Sequence, residues 1–172
     1  MIRIVIAENQ EMLLEAISSL LNLEEDIEIV GQASNGEEAV ALVHQLRPDV
    51  CIMDMEMPVM SGLEAAEVLK AMECKVIMLT TFRRNGHFQQ ALQANVRGYL
   101  LKDNPGDELA CSIRRIMDGM RIYSPELMDV ASYNNSERES EVQEMSAEGQ
   151  AAPGVIRTYL STIKDKMKAP TG

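Results

Sequence analysis

The chain has 172 residues, 46% of them hydrophobic and 25% charged, with a formal net charge of −11. That is enough for one ordinary domain plus a small appendage, and the composition is globular rather than fibrous or disordered. Up to Met120, ten Lys/Arg face nineteen Asp/Glu, an acidic body that excludes electrostatic capture of nucleic acid by the main domain.

In chain order, short apolar runs alternate with helical patterns. Residues 2–7 (IRIVIA) form a strand candidate; Met12, Leu13, Ala16, Ile17, Leu20 and Leu21 then recur at helical spacing. Residues 28–33 are a second strand, and Asn35-Gly36 turns into a helix carrying Ala39, Val40, Val43 and Leu46, closed by Pro48. Residues 50–54 are the third strand, followed by a helix marked by Leu63, Ala66 and Leu69. Residues 76–80 make the fourth strand, Phe88, Ala91 and Leu92 a short helix, and residues 98–101 the fifth strand. Leu109, Ala110, Ile113 and Met117 give a last helix, with Gly119 as its C-terminal stop.

Five such units in about 120 residues predict an α/β fold, a parallel sheet with helices on both faces. Residues 121–132 (RIYSPELMDVAS) read as a linker with a weak helix, and the polar stretch from Tyr133 as a separate segment. The three cysteines show no CxxC spacing and are read as reduced packing residues. No apolar stretch approaches the ~20 residues that span a bilayer, and the start lacks a signal-peptide apolar region. A soluble, cytoplasmic protein without membrane insertion is expected.

In sheets of this class, sites form outside the carboxyl ends of the strands. Four ends carry chemistry here: Glu8-Asn9, Asp54, Thr80-Thr81 and Lys102-Asp103. Carboxylates with a backbone carbonyl suit a hard dication such as Mg²⁺, a hydroxyl and an ammonium suit phosphoryl oxygens, and an aspartate can itself accept phosphate.

These stretches, IAENQ, CIMDMEMPVMSG, IMLTTF and GYLLKD, resemble the receiver domain of bacterial two-component response regulators over residues 1–120. The resemblance implies a doubly wound, flavodoxin-like five-stranded sheet of order 2-1-3-4-5. It implies Asp54 as phosphoacceptor, and Glu8, Asn9, Asp54 and the main-chain carbonyl of Glu56 as ligands of Mg²⁺. Thr80 and Lys102 engage the phosphoryl oxygens, and Tyr99 is the aromatic switch, turning inward as Thr80 moves toward the phosphate. Pro58 and Gly62 shape the loop beside Asp54. The implied partner is a sensor histidine kinase, the implied role a regulator rather than an enzyme, with homodimerisation on phosphorylation.

Two departures accompany the resemblance. Most receivers place a second acid where this chain has Asn9; a neutral amide removes one of three negative charges and predicts weaker Mg²⁺ binding. Asn9 is alternatively the N-cap of the first helix. In the tail, VIRTYLSTIKDKM sets Ile156, Leu160, Ile163 and Met167 on one face, and resembles the recognition helix of the LuxR/NarL-type helix-turn-helix. Arg157, Thr158, Ser161 and Lys164 are its candidate contacts to promoter DNA. Between Gly149 and Pro153, however, lie only three residues, where that family has roughly ten more that form the supporting helix. Residues 121–134 are thus expected to be a linker and 135–172 a small, incomplete all-α remnant of that domain.

Two functions follow: a phosphorylation-controlled transcriptional regulator, or a receiver (even a pseudo-receiver that takes no phosphate) working through protein contacts alone with an inert tail. A flavin carrier on the same sheet order is disfavoured, because the chain offers no phosphate-cradling Gly-rich loop.

Overall fold

The computed structural model describes residues 1–81, 87–103 and 106–127. Along the chain run β1 (Ile2–Ala7), α1 (Glu11–Leu21), β2 (Ile27–Ala33), α2 (Gly36–Leu46), β3 (Val50–Asp54), α3 (Gly62–Leu69), β4 (Lys75–Thr80), α4 (Phe88–Gln93), β5 (Gly98–Leu101), α5 (Gly106–Met117) and β6 (Ile122–Tyr123). All strands pair in parallel, in the order β2-β1-β3-β4-β5-β6.

The central strands are apolar along most of their length because both faces are covered, with polar residues only at Arg3, Asp54, Lys75 and Thr80, near or at their ends. Alternate residues point to opposite sides. Val5, Ala7, Cys51, Met53, Val76, Met78, Tyr99 and Leu101 pack with residues of α2, α3 and α4, such as Val43, Ala65, Leu69 and Ala91. Ile4, Ile6, Val50, Ile52, Ile77, Leu79 and Leu100 meet Leu13, Ile17, Leu20, Ile113 and Ile116 of α1 and α5. The two sides thus build two separate cores around one sheet.

Local chemistry sets the helix ends. Asn35 caps α2 by accepting the Glu38 N–H at 2.9 Å. Ser61 and Glu64 cap α3 reciprocally: Ser61 N–H donates to the Glu64 carboxylate at 2.8 Å and Glu64 N–H to the Ser61 hydroxyl at 3.2 Å. These bonds hold the Glu64 carboxyl below its usual range. Gly119, at φ 93°, follows α5 in the left-handed conformation that only glycine adopts without cost.

The structure departs from the sequence reading in three places. A sixth strand forms at Ile122–Tyr123, inside the stretch assigned to the linker. Two residues are too few for any periodicity to announce a strand; β6 forms because Ile122 N–H reaches Arg97 O at 3.0 Å, while Leu127 is fully buried. The α1 N-cap is Gln10, not Asn9. Cys51 is buried, but Cys111 lies exposed on α5 and is no packing residue. Arg157, Thr158, Ser161 and Lys164, and the segment proposed for them, fall outside the described residues.

Candidate functional site

Strand register brings the chemistry together. Ala7 pairs with Met53, Asp54 with Leu79, and Thr80 with Leu101, so the residues that end β1, β3, β4 and β5 share one rim. β1 and β3 are neighbours whose following helices, α1 and α3, pack in opposite cores. Their carboxyl ends therefore flank the crevice where ligands bind in such sheets.

Lys102 occupies the centre. Its ammonium lies 2.9 Å from Glu8 Oε2 and 3.0 Å from Asp54 Oδ2. All three side chains are buried, as is Thr80. The remaining oxygens have partners too: Gln10 N–H donates to Glu8 Oε1 at 3.0 Å, and Glu56 N–H to Asp54 Oδ1 at 3.3 Å. Burial pushes the Glu8 carboxyl above its ordinary range, the Asp54 charge adds to the push, and Lys102 opposes it. The pocket sets two carboxyl groups around one ammonium. Such a group of buried charges persists only with close pairing.

The loop after Asp54 is tightly held. Gly62 N–H donates to Met55 O at 2.9 Å, and Gly36 N–H to Met60 O at 2.9 Å. A methyl group at Gly62 would strike the Asp54 carbonyl, and one at Gly36 would lie 2.5 Å from the Met60 carbonyl. Between them, Met60 N–H closes a three-residue turn on Pro58 O at 2.7 Å, leaving Val59 at φ 68°. A β-branched residue in that conformation is strained, and strain of this kind concentrates at functional loops.

Of the residues selected from sequence, Glu8, Asp54 and Lys102 thus meet at one place, and Thr80 is buried at the same rim with its hydroxyl donating to Thr81 O at 3.3 Å. Asn9 and Glu56 stand exposed at the mouth. Tyr99 lies wholly inside, its hydroxyl 3.9 Å from Met55 Sδ. Burial raises the phenol to about 12, with the Thr80 hydroxyl beside it pulling the other way. Sequence reasoning missed Met55, and it missed the aromatic contacts of Phe88 with both Tyr99 and Tyr123. Rings on three separate elements share no spacing that could have shown them.

A family profile described as "Response regulator receiver domain" matches residues 4–114. The chain belongs to the response regulator receiver family. The chain is 52% identical to the transcriptional regulatory protein DesR of Bacillus subtilis, over 98% of this chain and 91% of that protein. It is 47% identical to the uncharacterized transcriptional regulatory protein YvfU of the same organism, over 98% and 92% of the two chains. Among solved structures it is similar to a LuxR-family DNA-binding response regulator from Staphylococcus aureus, with TM-score 0.65 and 38% identity, covering 67% of this chain and 98% of that one. The receiver domain of a NarL regulator from Mycobacterium tuberculosis gives TM-score 0.62 at 27% identity, covering 68% and 94%.

Receivers of this family use Mg²⁺. The oxygen donors at this rim fit a hard dication, although among the described residues no group of three or more His, Cys, Asp or Glu gathers as a metal site. The position that would supply the third acid is Asn9. Among the described residues, no helix is long and apolar enough to cross a membrane.

Proposed function

We propose that Asp54 takes a phosphoryl group from the phosphohistidine of a partner sensor kinase, and that the resulting change controls transcription through a LuxR-type C-terminal segment. The observation that carries the reading is the buried ammonium of Lys102 held between Glu8 and Asp54, 2.9 and 3.0 Å away. A structural ion pair needs one carboxylate; the second puts a positively charged group beside an aspartate at the rim, where a phosphoryl group would arrive.

In the transfer, a carboxylate oxygen of Asp54 attacks phosphorus. A P–O bond forms, the P–N bond to the histidine breaks, and the imidazole leaves with the bonding pair and takes up a proton. Lys102 then exchanges its contact with Asp54 for a phosphoryl oxygen, and the Thr80 hydroxyl donates to another. Glu8, Asn9, Asp54 and the main-chain carbonyl of Glu56 would hold Mg²⁺. That ion supplies neutralisation of the charge on the transferring group. Asn9 contributes an oxygen without charge, so this receiver binds Mg²⁺ more weakly than one with an acid there.

For output, Arg157, Thr158, Ser161 and Lys164 are the groups that would meet promoter DNA, in a dimer formed on phosphorylation. A second reading has specific support: the alignment to DesR runs over 181 positions, more than the 172 residues of this chain, so it opens gaps in this chain. A shortened helix-turn-helix leaves a receiver that works through protein contacts, with residues 135–172 inert.

Incubation with acetyl phosphate and Mg²⁺ tests the phosphoacceptor. The wild type gains one hydroxylamine-sensitive phosphoryl group and Asp54→Asn gains none; equal uptake by both rules the assignment out. A salt-sensitive gel shift on promoter DNA that strengthens on phosphorylation supports the DNA-binding arm. Absence of any shift in both states selects the second reading.

A further inference from the structure

The pocket is mechanically joined to the stretch that leads out of the domain. Met55, the residue after Asp54, has its sulfur 3.9 Å from the Tyr99 hydroxyl. The Phe88 ring meets Tyr99 edge-on, with centroids 5.4 Å apart and planes at 68°. Its other contact is Tyr123 of β6, again at 5.4 Å and with planes at 89°. Three rings therefore run in contact from the phosphoacceptor loop to the last strand.

The backbone makes the same connection independently. Ser124 N–H donates to Tyr99 O at 2.9 Å, and Leu101 N–H, next to Lys102, donates to the buried Ser124 hydroxyl at 3.1 Å. Leu127 is fully buried in the apolar cluster that contains Met55 and Tyr99. Arg121 reaches Asn95 Oδ1 at 2.7 Å. A two-residue strand has little stability of its own, so its docking depends on these contacts and responds when they change.

We propose that residues 121–127 form a strap that reads whether the Asp54 pocket is occupied, through Tyr99, Phe88 and the Ser124 hydroxyl, and passes the result to the chain beyond. The proposal rests on the phosphoacceptor reading. A group bound at Asp54 engages Thr80, which borders the Tyr99 hydroxyl, and favours the inward ring. The inward ring supports Phe88, and Phe88 supports Tyr123. Occupancy thus tightens the strap and, reciprocally, a tight strap favours occupancy.

The test is amide hydrogen exchange on the full chain, with and without beryllofluoride and Mg²⁺ as a non-covalent phosphoryl mimic. In the wild type, exchange slows over residues 54–62, where the mimic binds, and slows roughly fivefold or more over residues 121–127. Phe88→Leu keeps the response at 54–62 and loses it at 121–127. Should Phe88→Leu fail to fold, Ser124→Ala carries the same expectation, because it removes only the acceptor for Leu101 N–H. A wild type that responds at 54–62 but not at 121–127 overturns the strap while leaving the phosphoacceptor reading standing. So do variants that respond like the wild type. No response at 54–62 overturns the phosphoacceptor reading, and the strap's trigger with it.

Discussion

Replacing Lys102 with methionine removes the ammonium held between Glu8 and Asp54 in a buried pocket and keeps most of the side-chain volume. At 2.9 and 3.0 Å from its two partners, Lys102 attracts each carboxylate by about 6 kcal/mol, taking an effective dielectric constant of about 20. Desolvation of three buried charges offsets most of that gain, so the net loss is smaller: about 3–5 kcal/mol for breaking a buried pair. At a typical urea dependence this lowers the unfolding midpoint by roughly 2 M at pH 8. The loss must also depend on pH. Glu8 has its folded pKa raised above the ordinary 4.5. Its contribution to stability is therefore fully present below 4.5 and is lost as pH rises through the raised folded value. Without Lys102, which alone lowers that value by charge and hydrogen bond together, the folded pKa climbs further and the loss extends to higher pH. The variant's deficit is therefore larger at pH 8 than at pH 5, because lower pH favours the protonated form of Glu8. Urea unfolding of both proteins at the two pH values decides the matter. A variant as stable as the wild type at pH 8, or equally weakened at both pH values, refutes the description of the pocket as a buried charge cluster.

Three further outcomes follow from the geometry. Gly62→Ala drives a methyl group into the Asp54 carbonyl; it should cost about 1–3 kcal/mol in unfolding experiments and also slow phosphoryl uptake, since the obstructed atom belongs to Asp54. Val59→Gly relieves the strained φ of 68° at a residue that is 78% exposed. Strain relief less the added freedom of the unfolded chain leaves a gain of roughly 1 kcal/mol, readable as a raised midpoint; a lowered midpoint would show that the turn is unstrained. Asn9→Asp restores a charge at an exposed position of the rim and should strengthen Mg²⁺ binding about tenfold, the equivalent of ~1.4 kcal/mol. Calorimetric titration giving equal affinities would assign Asn9 no part in holding the ion.

The strands were readable because they are covered on both sides: VIML is wholly apolar and IRIVI is broken only by Arg3 near its start. The helix start at Asn35-Gly36 was equally plain, since its cap is local; the capping box of Ser61 and Glu64 is just as local but was not read. The rim was legible through position alone, four chemically apt residues each ending a strand. What sequence could not show depends on contacts between distant elements. Glu8 and Asn9 are adjacent acceptors, and only the fold turns Glu8 inward to Lys102 and leaves Asn9 outside. The cap assigned to Asn9 falls one residue later, at Gln10, whose N–H is taken by the Glu8 carboxylate. β6 escaped notice because its reasons lie across the sheet, in Arg97, Tyr99 and Phe88.

The central claim is that Asp54 itself carries the phosphoryl group, and chemical trapping addresses it directly. After reaction with a phosphodonor and Mg²⁺, borohydride reduces an aspartyl phosphate to homoserine, and peptide sequencing locates it. Homoserine at position 54, absent when the phosphodonor is omitted, is the expected result. Homoserine at another acidic residue, or none despite bound phosphate, would contradict the account.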